Sequence, residues 1–132
     1  MTEMQAAMGV EQLRKFPVML ERRKANAAFL KMALEEFSPV GEHYAIAAFV
    51  PEGVDRNKVR ATLLLEGVET SIYYPRPVPD TAYYSRKYGE TICPVAREFA
   101  ERTIAFPVGP HLDEKRLAFA VRAFKEAVRC GL

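Results

Sequence analysis

Between Tyr73 and Tyr88 the chain concentrates phenols and cations: Tyr73, Tyr74, Tyr83, Tyr84 and Tyr88 occur there with Arg76, Arg86 and Lys87. Phenol hydroxyls can bond to sugar hydroxyls or phosphates, and a guanidinium can grip a carboxylate or diphosphate through two parallel bonds. Aromatic faces add a surface for cations or sugar rings. The segment opens on Tyr74-Pro75-Arg76-Pro77-Val78-Pro79, with a proline at every second position. Each proline fixes its own φ and pushes the residue before it toward extended backbone, so Tyr74, Arg76 and Val78 have little entropy left to lose on binding. This makes the Tyr73 to Tyr88 region the leading candidate for ligand contact. Composition also allows a plainer reading, in which the tyrosines pack back onto the domain surface.

Other chemistries find weaker support. Nucleophilic catalysis needs a serine or cysteine beside a base, but no Gly-x-Ser-x-Gly occurs and Cys93 has no histidine near it in sequence. Cys93 reads instead as a small buried hydrophobe ahead of a helix, and His43 and His111 as partly exposed polar residues at element boundaries. Neither a Walker pattern nor Gly-x-Gly-x-x-Gly is present, which excludes nucleotide binding through such a loop. Two cysteines and two histidines leave a thin metal-ligand inventory, and Cys93 and Cys130 are expected to be reduced. Arg22-Arg23-Lys24, beside Glu21, reads as a solvated helix face, and 19 basic residues interleaved with 17 acidic ones leave no nucleic-acid footprint. No apolar run nears the roughly 20 residues that span a bilayer, and the N-terminus lacks the regions of a secretory signal. The expectation is a cytoplasmic protein without nucleic-acid or membrane partners.

The elements that must position these residues follow from punctuation and periodicity. At 132 residues and 49% hydrophobic composition, the chain can build one domain with a real core. Strong helix formers fill Thr2 to Phe37, and Pro17 divides that stretch into two helices, Thr2 to Arg14 and Pro17 to Glu36. Tyr44 to Val50 reads as a central strand. Asp55 caps a helix from Arg56 to Glu66, Gly67 stops it, and Thr70 to Tyr74 forms a second strand. A long functional or mobile loop from Arg76 to Thr91 leads to a helix from Pro94 to Arg102 and a third strand from Thr103 to Phe106. Asp113 then caps a last helix reaching Arg129, whose buried stripe is Leu117, Val121, Phe124 and Val128. The expected architecture is α+β, with helices on a roughly three-stranded sheet and with Phe49 and Phe124 in the core. Residues 1–37 form an N-terminal helical segment for inter-domain or dimer contact, and residues 38–132 a small α/β domain.

Five blocks in order resemble the DegT/DnrJ/StrS-type aminotransferases, and together they span nearly the whole chain. Met1-Thr2-Glu3-Met4-Gln5-Ala6-Ala7-Met8-Gly9-Val10-Glu11-Gln12-Leu13 is similar to the family's "mt-e-x-Q-A-A-x-G-x-x-Q-L" helix, and Glu21-Arg22-Arg23-Lys24-Ala25-Asn26-Ala27 to its "R-R-x-x-A" continuation. Tyr73-Tyr74-Pro75-Arg76-Pro77 looks like its "Y-P-x-P" strand exit, and Cys93-Pro94-Val95-Ala96 like its "P-x-A" helix start. Phe106-Pro107-Val108-Gly109-Pro110-His111-Leu112 looks like its "L-P-x-x-P-x-L" block.

The resemblance implies the small C-terminal domain of a fold-type-I aminotransferase that uses pyridoxal phosphate to aminate keto groups of nucleotide-linked sugars. It places Tyr74 and Arg76 in a loop that approaches the substrate pocket near a subunit interface. The family's Schiff-base lysine belongs to a larger N-terminal domain, and none of the seven lysines here lies in the matching motif. No cofactor is therefore expected on this chain alone. The implied partners are a second copy in a homodimer, or a lysine-bearing N-terminal domain, with a nucleotide-sugar substrate in the complete enzyme. Where the family often has a histidine after "Y-P-x-P", this chain has Pro79, so no substrate role is carried to that position. The competing expectation is a stand-alone, non-catalytic binding or oligomerisation module derived from the family.

Overall fold

The computed structural model describes residues 1–131. Its first helix, α1 (Glu3–Ala33), starts on a reciprocal cap in which Thr2 Oγ1 accepts the Gln5 N–H and Gln5 Oε1 accepts the Thr2 N–H. The break expected at Pro17 does not occur, and α1 runs through it for 31 residues. An interior proline costs about 3 kcal/mol. Two new helix ends would instead leave several N–H and C=O groups without intrahelical partners, so continuity through strong helix formers is the cheaper arrangement.

Only the C-terminal part of α1 joins the core, through Ala27 and Leu30; Leu34, which caps the helix, is also buried, and a short 3-10 turn then buries Phe37. Met4, Met8, Leu13 and Phe16 on the N-terminal half are exposed.

Three antiparallel strands follow in the order β1 (Val40–Glu42), β2 (Ala45–Phe49) and β3 (Thr103–Phe106). β1, which the sequence did not suggest, folds back onto β2 through His43 and Tyr44, with Glu42 opposite Ala45. Gly41 makes that turn possible. Its φ is +113°, and a Cβ there would lie 2.1 Å from the Ala45 carbonyl oxygen. The strand expected over Thr70 to Tyr74 is reduced to one bridge, Ser71 with Ala105. Antiparallel pairing would next oppose Glu69 to Pro107, which has no N–H, and Tyr73 to Thr103, whose N–H is already donated to the Phe99 carbonyl.

The capping residues behave as expected. Asp55 accepts the Asn57 and Lys58 N–H groups at the start of α2 (Arg56–Leu65), and Gly67 ends the turn after it at φ +78°. Asp113 accepts the Arg116 N–H at the start of α5 (Glu114–Cys130). The stretch expected as a loop from Arg76 to Thr91 is largely ordered. It contains a 3-10 turn at Val78–Asp80 and a short helix, α3 (Ala82–Tyr88), and α4 (Pro94–Arg102) follows.

Ile46, Ala48, Ile104 and Phe106 line one sheet face and pack against Val59 and Leu63 of α2, Leu30 of α1, and Leu117, Val121, Phe124 and Val128 of α5. Phe124 is the aromatic centre, edge-on to Phe37 at 4.9 Å and to Phe106 at 5.2 Å. Phe49, expected in the core, sits half-buried with the opposite sheet face, against Phe99 at 5.7 Å. β2 alternates buried and half-buried side chains, so its inward pleat takes Ile46 and Ala48 and leaves Phe49 outside. Among the described residues no helix is long and apolar enough to cross a membrane.

Candidate functional site

Tyr74 and Arg76 follow the Ser71 bridge on a bent, irregular segment and open onto a groove of about 620 Å³. The remaining wall includes Pro77 and Val78, Cys93 and Val95 at the start of α4, and Phe99 further along that helix. Both candidate side chains are exposed, and Arg76 makes no hydrogen bond or ion pair with any described residue. The groove is therefore an apolar trough with one free guanidinium and one phenol at its edge. That arrangement can grip an anionic group while an apolar or ring face lies along the trough.

The groove's shape is fixed from behind. Pro77 is buried, and the Pro77 and Val78 carbonyls accept the Asp80 and Thr81 N–H groups to close the 3-10 turn. Arg97 of α4 then donates from Nε and Nη2 to the Asp80 carboxylate at 3.1–3.2 Å, tying the turn to the opposite wall. Arg56 fastens α2 to the other end of α4 by donating from Nη1 to the Ala100 carbonyl. Burial, and then the nearby Arg60 charge, lower the Arg56 pKa, and its Nε has no partner.

The phenol and cation cluster read from the sequence divides into two parts. Tyr83, Tyr84 and Tyr88 lie on α3, with Tyr84 stacked on Tyr88 at 5.9 Å and Lys87 donating to the Tyr83 hydroxyl at 3.2 Å. Tyr73 faces the other way and tilts against Tyr44. Only Tyr74 and Arg76 of that set line the trough.

Neither histidine reaches it: His43 is half-buried at the β1–β2 turn, and His111 is exposed ahead of α5. Cys93 is in the trough wall, half-buried rather than fully enclosed. Lacking a neighbouring base, it contributes surface and no activated nucleophile. Among the described residues no three of His, Cys, Asp and Glu converge as a metal-ligand set. The groove's back wall escapes sequence reasoning because the Asp80–Arg97 pairing joins residues 17 apart, which no local periodicity registers.

The lysines bear on cofactor chemistry. A Schiff base requires a desolvated, positioned amine. Lys15, Lys24, Lys58, Lys87 and Lys115 are exposed, while Lys31 and Lys125 are half-buried and paired with Glu42 and Glu36. The lysines present do not fit an imine-forming site.

Comparison with known proteins gives these features a context. The model of the DegT/DnrJ/EryC1/StrS aminotransferase family matches residues 1–125. A UDP-N-acetyl-3-dehydro-alpha-D-glucosamine 3-aminotransferase of Acidithiobacillus ferrooxidans is 33% identical over 81 residues, 61% of this chain and 22% of that protein. Streptomyces venezuelae DesV, solved in complex with a ketimine intermediate, is 25% identical with a TM-score of 0.77, covering 96% of this chain and 36% of that one. A Streptococcus pneumoniae protein solved in its PMP form shares the fold over all of this chain at TM-score 0.88, with 22% identity and 36% of its own length covered. The chain thus covers little more than a third of each of these two solved proteins and 22% of the Acidithiobacillus relative. With its family model matched over residues 1–125 and its fold reproduced within solved members, the chain belongs to the DegT/DnrJ/EryC1/StrS aminotransferase family.

Proposed function

We propose that this chain is the small, C-terminal domain of a pyridoxal-phosphate-dependent aminotransferase that acts on nucleotide-linked keto sugars, and that it supplies substrate contact and not the chemistry. The observation that carries this is the family match over residues 1–125 combined with coverage of little more than a third of the solved relatives. Names support the substrate class: one relative acts on a UDP-linked dehydro sugar, and a dTDP-4-dehydro-2,3,6-trideoxy-D-glucose 4-aminotransferase of Saccharopolyspora spinosa is 28% identical over 96% of this chain. The cofactor assignment draws on the PMP, PLP and ketimine forms in which similar proteins were solved.

In this reading Arg76 pairs with a substrate diphosphate or carboxylate, Tyr74 bonds a sugar hydroxyl at the trough edge, and the imine-forming lysine lies on a separate stretch of polypeptide. Residues 1–37 reach toward that partner, in keeping with the exposed Met4, Met8 and Leu13.

Co-expression with a lysine-bearing large domain from a family member tests this. Co-purification with transamination of a nucleotide-linked keto sugar, weakened by Arg76→Ala, is the expected result. A chain that ignores the large domain and forms a tight homodimer through α1 overturns it in favour of a stand-alone oligomerisation module. That second reading is favoured by one observation, the apolar side chains Met4, Met8, Leu13 and Phe16 left exposed along α1.

A further inference from the structure

The unbroken apolar run from Tyr44 to Val50 is that of a strand covered on both faces, yet the core helices α1, α2 and α5 all lie on one side of the sheet. An antiparallel sheet with its second face in water normally alternates apolar inward with polar outward. Here β2 turns Ala45, Ala47 and Phe49 outward, with Ala105 and Thr103 of β3 opposite the last two and Val40 of β1 opposite Ala47. Glu42 is the one charged residue of the three strands; it stands at the sheet edge and pairs with Lys31 at 3.4 Å. The outer face thus has the composition of an interior and not of a surface.

This face is also hollowed. Ala45, Ala47 and Ala105 floor a dish of about 300 Å³ rimmed by Tyr73, Tyr74 and Phe99, and no charged side chain lines it. Tyr73 and Tyr74 are 50% and 68% exposed, and Tyr44 lies against Tyr73 with ring centroids 6.4 Å apart. Stiff aromatic side chains around an uncharged hollow have the makeup of the centre of a protein–protein interface, where most of the binding energy is concentrated. We infer that the lysine-bearing large domain seats on this outer sheet face and places an apolar side chain in the dish.

Two observations choose this occupant over a second copy of the chain. The dish and the trough share Tyr74 and Phe99, so they are neighbouring parts of one surface. A lysine that reaches a ligand held at the trough edge must be carried by a body standing over that same surface. A two-fold dimer through the dish would set this surface against itself, and no lysine lines either the dish or the trough. The second observation is size: the Streptococcus pneumoniae relative contains this fold over the whole of this chain, yet the match covers 36% of that protein, so the fold has a larger neighbour there. The inference rests on the aminotransferase reading and adds to α1 a second contact with the same domain.

The test measures amide hydrogen exchange and sedimentation of the 132-residue chain, alone and with a folded, lysine-bearing large domain of a family member. Slowed exchange over residues 40–47 and 71–74 on association is expected. Ala47→Arg, which points out of the sheet, should weaken association about a hundredfold while the isolated chain melts as the parent does. Tyr73→Ala, at an exposed position, should weaken it about tenfold, and Lys58→Ala on α2, in the other layer, should leave it unchanged. Association that survives Ala47→Arg and Tyr73→Ala without protection of the dish would overturn this inference and leave the aminotransferase reading standing on α1. A chain that ignores the large domain would overturn both. A chain that self-associates alone and is dissociated by Ala47→Arg would give the face to a second copy and overturn the occupant.

Discussion

Phe124→Ala should remove a large part of the domain's stability, whereas Phe49→Ala should remove little, although the two residues look alike in sequence. Phe124 is fully buried and meets two other rings edge-on, Phe37 at 4.9 Å and Phe106 at 5.2 Å, so truncation leaves a hole among α1, β3 and α5. Loss of transfer free energy plus the cavity amounts to about 3–5 kcal/mol for such a site. A chain of this length is expected to have roughly 7–20 kcal/mol in total, so the variant stays folded but melts far earlier. Phe49 keeps water on one side and touches chiefly Phe99 and the Arg102 guanidinium, 5.7 and 5.8 Å from its ring. Its truncation should cost about 1–2 kcal/mol, since one edge contact and partial burial are lost without an enclosed cavity. Urea unfolding followed by circular dichroism gives both values from midpoints at unchanged slope. Equal costs for the two variants would refute the assignment of the core to one sheet face.

Three further outcomes follow from the same geometry. Arg76→Ala should leave unfolding within about 0.5 kcal/mol of the parent, because the side chain is exposed and touches no partner; a larger loss in urea melts would give it a structural role. A double-mutant cycle on Asp80→Ala and Arg97→Ala should give a coupling of about 1 kcal/mol, held down by the partial exposure of Arg97, and should speed amide hydrogen exchange at Asp80 and Thr81; zero coupling would show that the turn orders itself. Gly41→Ala should destabilise the domain by more than 1 kcal/mol through the clash with the Ala45 carbonyl, and a melt matching the parent's would mean that the β1–β2 turn relaxes freely.

Local chemistry made much of this fold legible. Asp55, Gly67, Pro94 and Asp113 stand where helices start or stop, and the Leu117, Val121, Phe124 and Val128 stripe faces the core. What escaped the sequence was decided by competition between distant groups. Whether Thr70 to Tyr74 becomes a strand depends on the N–H groups of residues 103 and 107, one taken by a helix end and one absent. Pro17 looks like a stop signal, and only the unsatisfied groups of the alternative explain why α1 continues. The ordering of residues 78–88 likewise turns on the Asp80–Arg97 pair, with Pro77 buried beside it. The Tyr73 to Tyr88 region stood out by its phenols, cations and prolines, and the family resemblance narrowed it to Tyr74 and Arg76, but the partition of the tyrosines between trough and α3 was not legible.

The central claim, that this domain contributes substrate contact to an aminotransferase whose imine-forming lysine lies elsewhere, is tested most directly by reductive trapping. The chain would be incubated with pyridoxal phosphate, treated with borohydride and digested for mass spectrometry, alone and then with a lysine-bearing large domain of the family. The account predicts only slow, non-saturating labelling spread over surface lysines such as Lys15, Lys58 and Lys87 when the chain is alone, and single-site labelling on the large domain when both are present. Saturable, one-to-one labelling of a single lysine of this chain in isolation would contradict it.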